Sequence, residues 1–212
     1  MVEKVKRSYN SGRRAEQARE NRVQVIRAAH DLFAAQGYGR TTMAGIARHA
    51  GVSPETVYKS FGNKPALLRA AWFLMFRGDE TDVTLYDRPQ MQAILAIADL
   101  GERIEAHARF VTANNRRSAP LLRAIESAAS SESGASQMLA EWQARRVDVA
   151  TKYARAAAET GQLVIDEDEC RDILYATMDG PLWQRLVTER GWSDERYASW
   201  LAAGWRREFT HG

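Results

Sequence analysis

The chain has 212 residues, 45% of them hydrophobic, a formal charge of +3 and one cysteine. That size suits one domain or a small module joined to a larger body, and the composition argues against disorder. Cys170 cannot form an internal disulfide, the N-terminus lacks an apolar signal core and the longest apolar run, residues 70–76, is far too short to span a bilayer, so a cytoplasmic protein without membrane contact is expected.

Abundant Ala, Leu, Arg and Glu, with five prolines and few β-branched runs, predict an all-α fold. Charge is unevenly spread. Residues 1–64 carry twelve Lys/Arg and five Asp/Glu, a balance of +7, which leaves −4 for the rest. Basic excess at one end is the footprint of a surface that displaces counterions from phosphate. For residues 1–18 a solvated basic arm is an equal reading.

Residues 1–18 lack helical apolar spacing and contain Ser11-Gly12, which predicts a flexible basic tail. Such arms can reach a minor groove, with Arg7, Arg13 and Arg14 as candidates. A first helix is expected over 19–36, with Val23, Ile26, Ala29, Leu32 and Phe33 inward and Gly37 as its stop. Thr41 or Thr42 then caps a short helix carrying Met43, Ile46, Ala47 and Ala50, and Gly51 ends it. Ser53 and Pro54 start another, with Val57 and Phe61 inward, closed by Gly62.

Two short helices joined by a tight turn form a helix-turn-helix, whose second helix lies in the major groove and reads base edges. Hydroxyls read several bases and lysine donates to guanine acceptors, so Thr56 and Lys59 are the candidate base contacts, with Glu55 able to accept from a cytosine amino group. Thr42, Tyr58 and Lys64 are candidates for phosphate, where they would fix register.

This stretch resembles the DNA-binding module of the TetR family of bacterial transcription regulators. The resemblance rests on Ile26, Ala29, Leu32, Phe33 and Gly37, then Thr42, Ile46-Ala47, Ala50-Gly51-Val52-Ser53, Val57-Tyr58, Phe61, Lys64 and Leu67-Leu68. It covers about the first third of the chain. Glu55 stands where the family often has a small residue and His30 where it usually has an apolar one. The resemblance implies a three-helix module over 19–64 and a helical effector-binding and dimerisation domain over 65–212.

Asn63 can cap a further helix whose Leu67, Leu68, Ala71, Trp72, Met75 and Phe76 cover more than half its circumference, a strut between module and body. Gly78 is expected to end it, before a polar loop over 79–88. Next come a helix over 89–113 that Gly101 can break, a turn at 114–117, a short helix over 120–129, a loop at 130–134 and a long helix stopped by Gly161. Asp166 and Glu169 form a capping-box-like start for a helix that Pro181 should kink rather than end. Ser193 caps the last helix.

The two terminal helices are strongly apolar and resemble the pair that TetR-family subunits contribute to a dimer. Ile173, Met178, Leu182, Leu186, Tyr197, Trp200, Leu201, Gly204 and Trp205 are the interface candidates; a monomer core is the alternative reading. Trp72, Phe76, His107, Phe110, Trp142, Tyr175, Met178 and Trp183 are bulky enough to line an apolar cavity, although each taken alone is more commonly core. By the resemblance, a small apolar or aromatic effector bound there would change the spacing of two DNA modules.

The histidines at 30, 49, 107 and 211 show no metal-ligand spacing, and no P-loop, nucleophile elbow or dinucleotide loop is present. No metal, cofactor or catalytic residue is therefore expected. The reading is a homodimeric regulator, a repressor released from a palindromic double-stranded operator. Its rival is a helical small-molecule binding protein with a vestigial DNA module.

Overall fold

A computed structural model describes the backbone over residues 3–77 and 86–211 and the side chains over 12–74 and 86–211, with no strand among them. The helices are α1 (Glu3–Arg40), α2 (Met43–His49), α3 (Pro54–Phe61), α4 (Lys64–Arg77), α5 (Pro89–Leu95), α6 (Leu100–Ala129), α7 (Ser133–Ala158), α8 (Glu167–Thr177), α9 (Gly180–Trp183) and α10 (Asp194–Phe209); α9 runs into a π-helical stretch, Gln184–Glu189. No helix among the described residues is long and apolar enough to cross a membrane. The stop expected at Gly78, most of the loop expected at 79–88 and the first two residues of the expected tail lie outside the described residues.

The flexible tail expected over 1–18 is corrected: α1 is helical from Glu3. Lys, Arg, Glu, Gln and Ala around Ser11-Gly12 are helix formers, no proline intervenes, and one interior glycine costs only about 1 kcal/mol. Gly37, at φ 77° and ψ 173°, breaks the helix where the sequence places its stop.

Two hydrophobic cores follow. The first joins Ile26, Ala29 and Phe33 of α1, Ile46 of α2, Val57 and Phe61 of α3, and Leu67, Leu68 and Ala71 of α4 to Leu121, Leu122 and Ile125 of α6 and Met138 of α7. The core of α1, α2 and α3 thus continues past residue 64 into α4 and the facing ends of α6 and α7. The second core gathers Leu100, Ile104 and Ala108 of α6, Tyr153 of α7, Cys170 and Leu174 of α8, Trp183 of α9, and Tyr197, Leu201, Trp205 and Phe209 of α10. Helix α6 serves both, and Pro120 falls where it passes from one to the other.

Three expected breaks move. The helix over 89–113 is interrupted at 96–99 rather than at Gly101, because Asp99 caps a new start by accepting from the Glu102 amide at 2.8 Å. Gly101 is instead a packing residue: a Cβ there would lie 3.2 Å from the Arg206 guanidinium. The turn at 114–117 and the short helix over 120–129 are both part of α6. Asn114, Asn115 and Ser118 read as turn residues but are buried, and Ser118 Oγ donates to the Asn114 carbonyl at 2.9 Å, a bond to the preceding turn.

Near Pro181 the chain does not kink; α8 ends at Thr177 and α9 restarts at Gly180, which puts Pro181 in a first turn where its missing N–H is harmless. Neighbours hold this break. Asn115 Nδ2 lies 3.4 Å from the Met178 carbonyl, Arg146 donates to the Tyr175 carbonyl and pairs with Asp179 at 3.4 Å, and Trp205 Nε1 donates to Thr177 Oγ1 at 2.8 Å.

Candidate nucleic-acid interface

Thr42, not Thr41, caps α2, its Oγ1 accepting from the Gly45 amide at 3.0 Å. Met43, Ile46 and Ala47 are buried in the first core, where α2 packs on α1 and α3, and at φ 67° Gly51 supplies the left-handed residue that turns the chain toward α3. The turn is closed by the Val52 amide on the Ala47 carbonyl at 3.0 Å. Ser53 Oγ accepts from the Thr56 amide at 3.2 Å, and Pro54 occupies the first turn of α3.

So short a helix is held by its neighbours rather than by propensity. Val57 is fully buried and Phe61 nearly so, which leaves Glu55, Tyr58, Lys59 and Ser60 exposed and Thr56 half-buried. Tyr58, at 53% exposure, is one of the few large apolar side chains on the surface. The Thr56 hydroxyl shares a 2.9 Å hydrogen bond with that of Ser53. Glu55 and Lys59 are thus unencumbered on the outward face, while Thr56 is partly tied to the cap.

Lys64 is placed differently from its expected role at phosphate. Its ammonium donates to the carbonyls of Tyr38 at 3.1 Å and Thr41 at 3.2 Å and lies 3.9 Å from the Tyr38 ring centroid. With two of its three protons so used, it stitches the start of α4 to the end of α1. Burial pushes the Tyr38 hydroxyl up to about 12, with the nearby Glu132 carboxylate adding to the shift.

Sequence reasoning missed two residues. Thr41 is fully buried and its hydroxyl lies 2.8 Å from the Gly37 carbonyl and 3.2 Å from that of Leu32, tying the turn to α1. Arg22 donates to the Ser60 carbonyl at 3.1 Å and sits 4.4 Å over the Phe61 ring, a cation at the C-terminal end of α3 where the helix dipole favours it. No periodicity marks either contact. His30 is half-buried beside Asp31, at 3.1 Å, which explains a polar residue at an otherwise apolar position.

In the body, the proposed pocket residues do not converge. Trp72 and Trp142 meet edge to face at 5.0 Å against the first core, beside a small cavity of about 20 Å³. His107, Trp183, Tyr175 and Met178 belong to the second core, Phe110 is half-buried on α6, and the side chain of Phe76 lies outside the described residues. His107 stacks on Tyr153 at 3.8 Å, and burial lowers its imidazole to about 3, so it is neutral near pH 7. A groove of about 800 Å³ runs instead between α6 and α10, walled by Arg109, Arg116, Arg206, Glu105 and Asp194 over Ala198 and Ala202; none of the seven candidates with described side chains lines it.

Three interface candidates are also corrected. Tyr197, Leu201 and Trp205 are at most 2% exposed, because α10 turns that face onto α6 to complete the second core. Trp200 is 44% exposed, and Ile173, Met178, Leu182, Leu186 and Gly204 are half-buried. Those six remain on or near the surface of the terminal helices.

A capped two-helix unit locked over a third helix, joined to a larger helical body, defines the helix-turn-helix class. Residues 25–71 match the family described as bacterial regulatory proteins, tetR family. The HTH-type transcriptional regulator TtgR of Pseudomonas putida is 45% identical over 58 residues, 27% of this chain and 28% of that protein, so the matched stretch spans well under a third of the relative. A structure described as a TetR-family transcriptional regulator from Mesorhizobium loti aligns with a TM-score of 0.71 at 18% identity, covering 92% of this chain and 98% of that one. A transcriptional regulator from Saccharomonospora viridis, in complex with choline, aligns at 0.69 and 20% identity over 91% and 99%. The N-terminal module thus carries the tetR-family pattern over residues 25–71, and the chain as a whole shares its fold with these two structures.

Proposed function

We propose that this protein is a homodimeric transcriptional regulator that binds a palindromic duplex through α2 and α3 and acts as a repressor released by a small effector. The observation that carries the reading is α3 itself: a helix of eight residues, capped by Ser53 and anchored by Val57 and Phe61, that directs Glu55, Tyr58 and Lys59 outward at the basic end of the chain. Glu55, Thr56 and Lys59 read base edges, and Thr42 and Tyr58 contact phosphate. Trp200 with Leu182 and Leu186 supplies the dimer contact, which sets two α3 helices about 34 Å apart, one turn of duplex. Ligand response is supported by the choline held by a neighbour of the same fold. A small apolar or aromatic effector acts by preferring the spacing that does not match DNA. The protein works in the cytoplasm and performs no catalytic step.

Selection from a random duplex pool tests this. A palindromic consensus is expected, with Lys59→Ala and Glu55→Ala relaxing preference at single positions by roughly 1–3 kcal/mol each. Recovery of no preferred duplex, with small-molecule binding intact, would support the vestigial-module rival.

A further inference from the structure

Residues 12–20 of α1 take no part in packing among the described residues. Residues 12–20 are all exposed, whereas the buried face of α1 begins only at Val25. Arg13, Arg14 and Arg19 make no hydrogen bond or ion pair with any described residue, while their neighbour Arg22 is fixed on Ser60 and Phe61. That fixed arginine locates the segment: Arg22 reaches from α1 to the C-terminal end of α3, and the exposed residues 12–20 precede it in the same helix. From Glu3 to Asn21 this part of α1 is about 28 Å of helix at 1.5 Å per residue. Residues 3–22 hold seven Lys/Arg against three Asp/Glu.

We infer that this segment is a rigid phosphate-binding arm that extends the DNA contact outside the bases read by α3. The ligand chemistry is the backbone of duplex DNA flanking the recognised site. A helix about 10 Å across does not fit a minor groove about 6 Å wide, so the arm grips phosphates from outside and reads no bases. This replaces the flexible minor-groove arm that the residue pattern suggested. Three exposed guanidiniums without internal partners keep their charge available for counterion displacement, and a helix loses less freedom on binding than a disordered tail. The inference rests on the proposed DNA binding and adds a second, sequence-independent surface to it.

The test compares the full-length protein with an Arg13→Ala, Arg14→Ala, Arg19→Ala triple variant and the corresponding triple Lys variant, on one duplex selected by the unmodified protein and carried in long and trimmed flanks. The expected result is a salt-dependence slope shallower by about 2 to 3 for the Ala triple, restored by Lys, with the consensus unchanged and the difference lost on the trimmed duplex. These positions are exposed, so circular dichroism should report the same fold for all three proteins. Equal slopes on the long duplex would overturn the arm while leaving α3 as the reader. If the unmodified protein retains no duplex at all, the DNA-binding reading and the arm fall together.

Discussion

The two cores of this molecule are built by different means. Around the helix-turn-helix, short helices start at side-chain caps from Thr42, Ser53 and Asn63 and bury mainly apolar faces, with the Thr41 and Tyr38 hydroxyls as buried polar groups. Around α10 the helices are longer and further polar groups lie inside: the His107 Nδ1 and the hydroxyls of Tyr153 and Tyr197 are buried without a hydrogen-bond partner. Helix starts are set locally in both cores, whereas the break between α8 and α9 in the second is held by partners far away in sequence. A fixed module can be inherited intact, while a body held by long-range contacts can vary, which fits 45% identity confined to 58 residues beside a fold shared at 18%.

The largest effect should come from testing whether α10 faces inward as described. Leu201→Ala should lower unfolding free energy by about 2–5 kcal/mol, whereas Trp200→Ala, which removes ring contacts with Trp192 and Tyr197, should cost the protomer less, about 1 kcal/mol, and should weaken self-association; denaturant melts and sedimentation at low concentration separate the two. If both variants behaved alike, the division of α10 into core and interface faces would be wrong.

His107 sharpens the contrast through pH. Its imidazole is held near 3 in the fold against about 6.5 when unfolded, so protonation favours the unfolded chain. The stabilisation is complete above pH 6.5 and is lost as pH falls toward 3, by about 1.4 kcal/mol per unit. His107→Phe, melted across pH 4 to 7, should remove roughly 3 kcal/mol of that acid dependence. An unchanged pH profile would mean that another group carries it.

A smaller effect tests Lys64 inside the module. If its ammonium serves the Tyr38 and Thr41 carbonyls, Lys64→Ala should cost about 1–3 kcal/mol of stability and leave the salt slope of DNA binding unchanged. A shallower slope with full stability would return it to phosphate. Smallest, Ser53→Ala should cost about 1 kcal/mol through loss of the α3 cap, read by urea titration.

Legibility in the sequence follows the same division. The caps at Ser53, Asn63, Asp166 and Ser193 could be read because each is a bond across three residues. The break between α8 and α9 could not, because the end of α8 depends on Asn115 and Arg146, far away in sequence. Likewise Asn114 and Asn115 suggest a turn to any local reading, and only their burial in α6 shows otherwise. Apolar spacing identified α10 as amphipathic but could not tell a core face from a dimer face, since both demand Trp, Leu and Tyr. At the interface, Glu55, Tyr58 and Lys59 were legible as the outward side of a short helix, while the contacts of Thr41, Lys64 and Arg22 with carbonyls leave no pattern in sequence.

The proposed function requires two copies of α3 to grip one duplex across a two-fold axis. Stoichiometry on the selected duplex, measured by sedimentation with and without about five base pairs inserted between half-sites, tests it most directly, because that insertion turns one half-site about halfway round the helix. Two protomers per duplex, with affinity collapsing on insertion, is the predicted result. One protomer per duplex, or binding indifferent to the insertion, would contradict it.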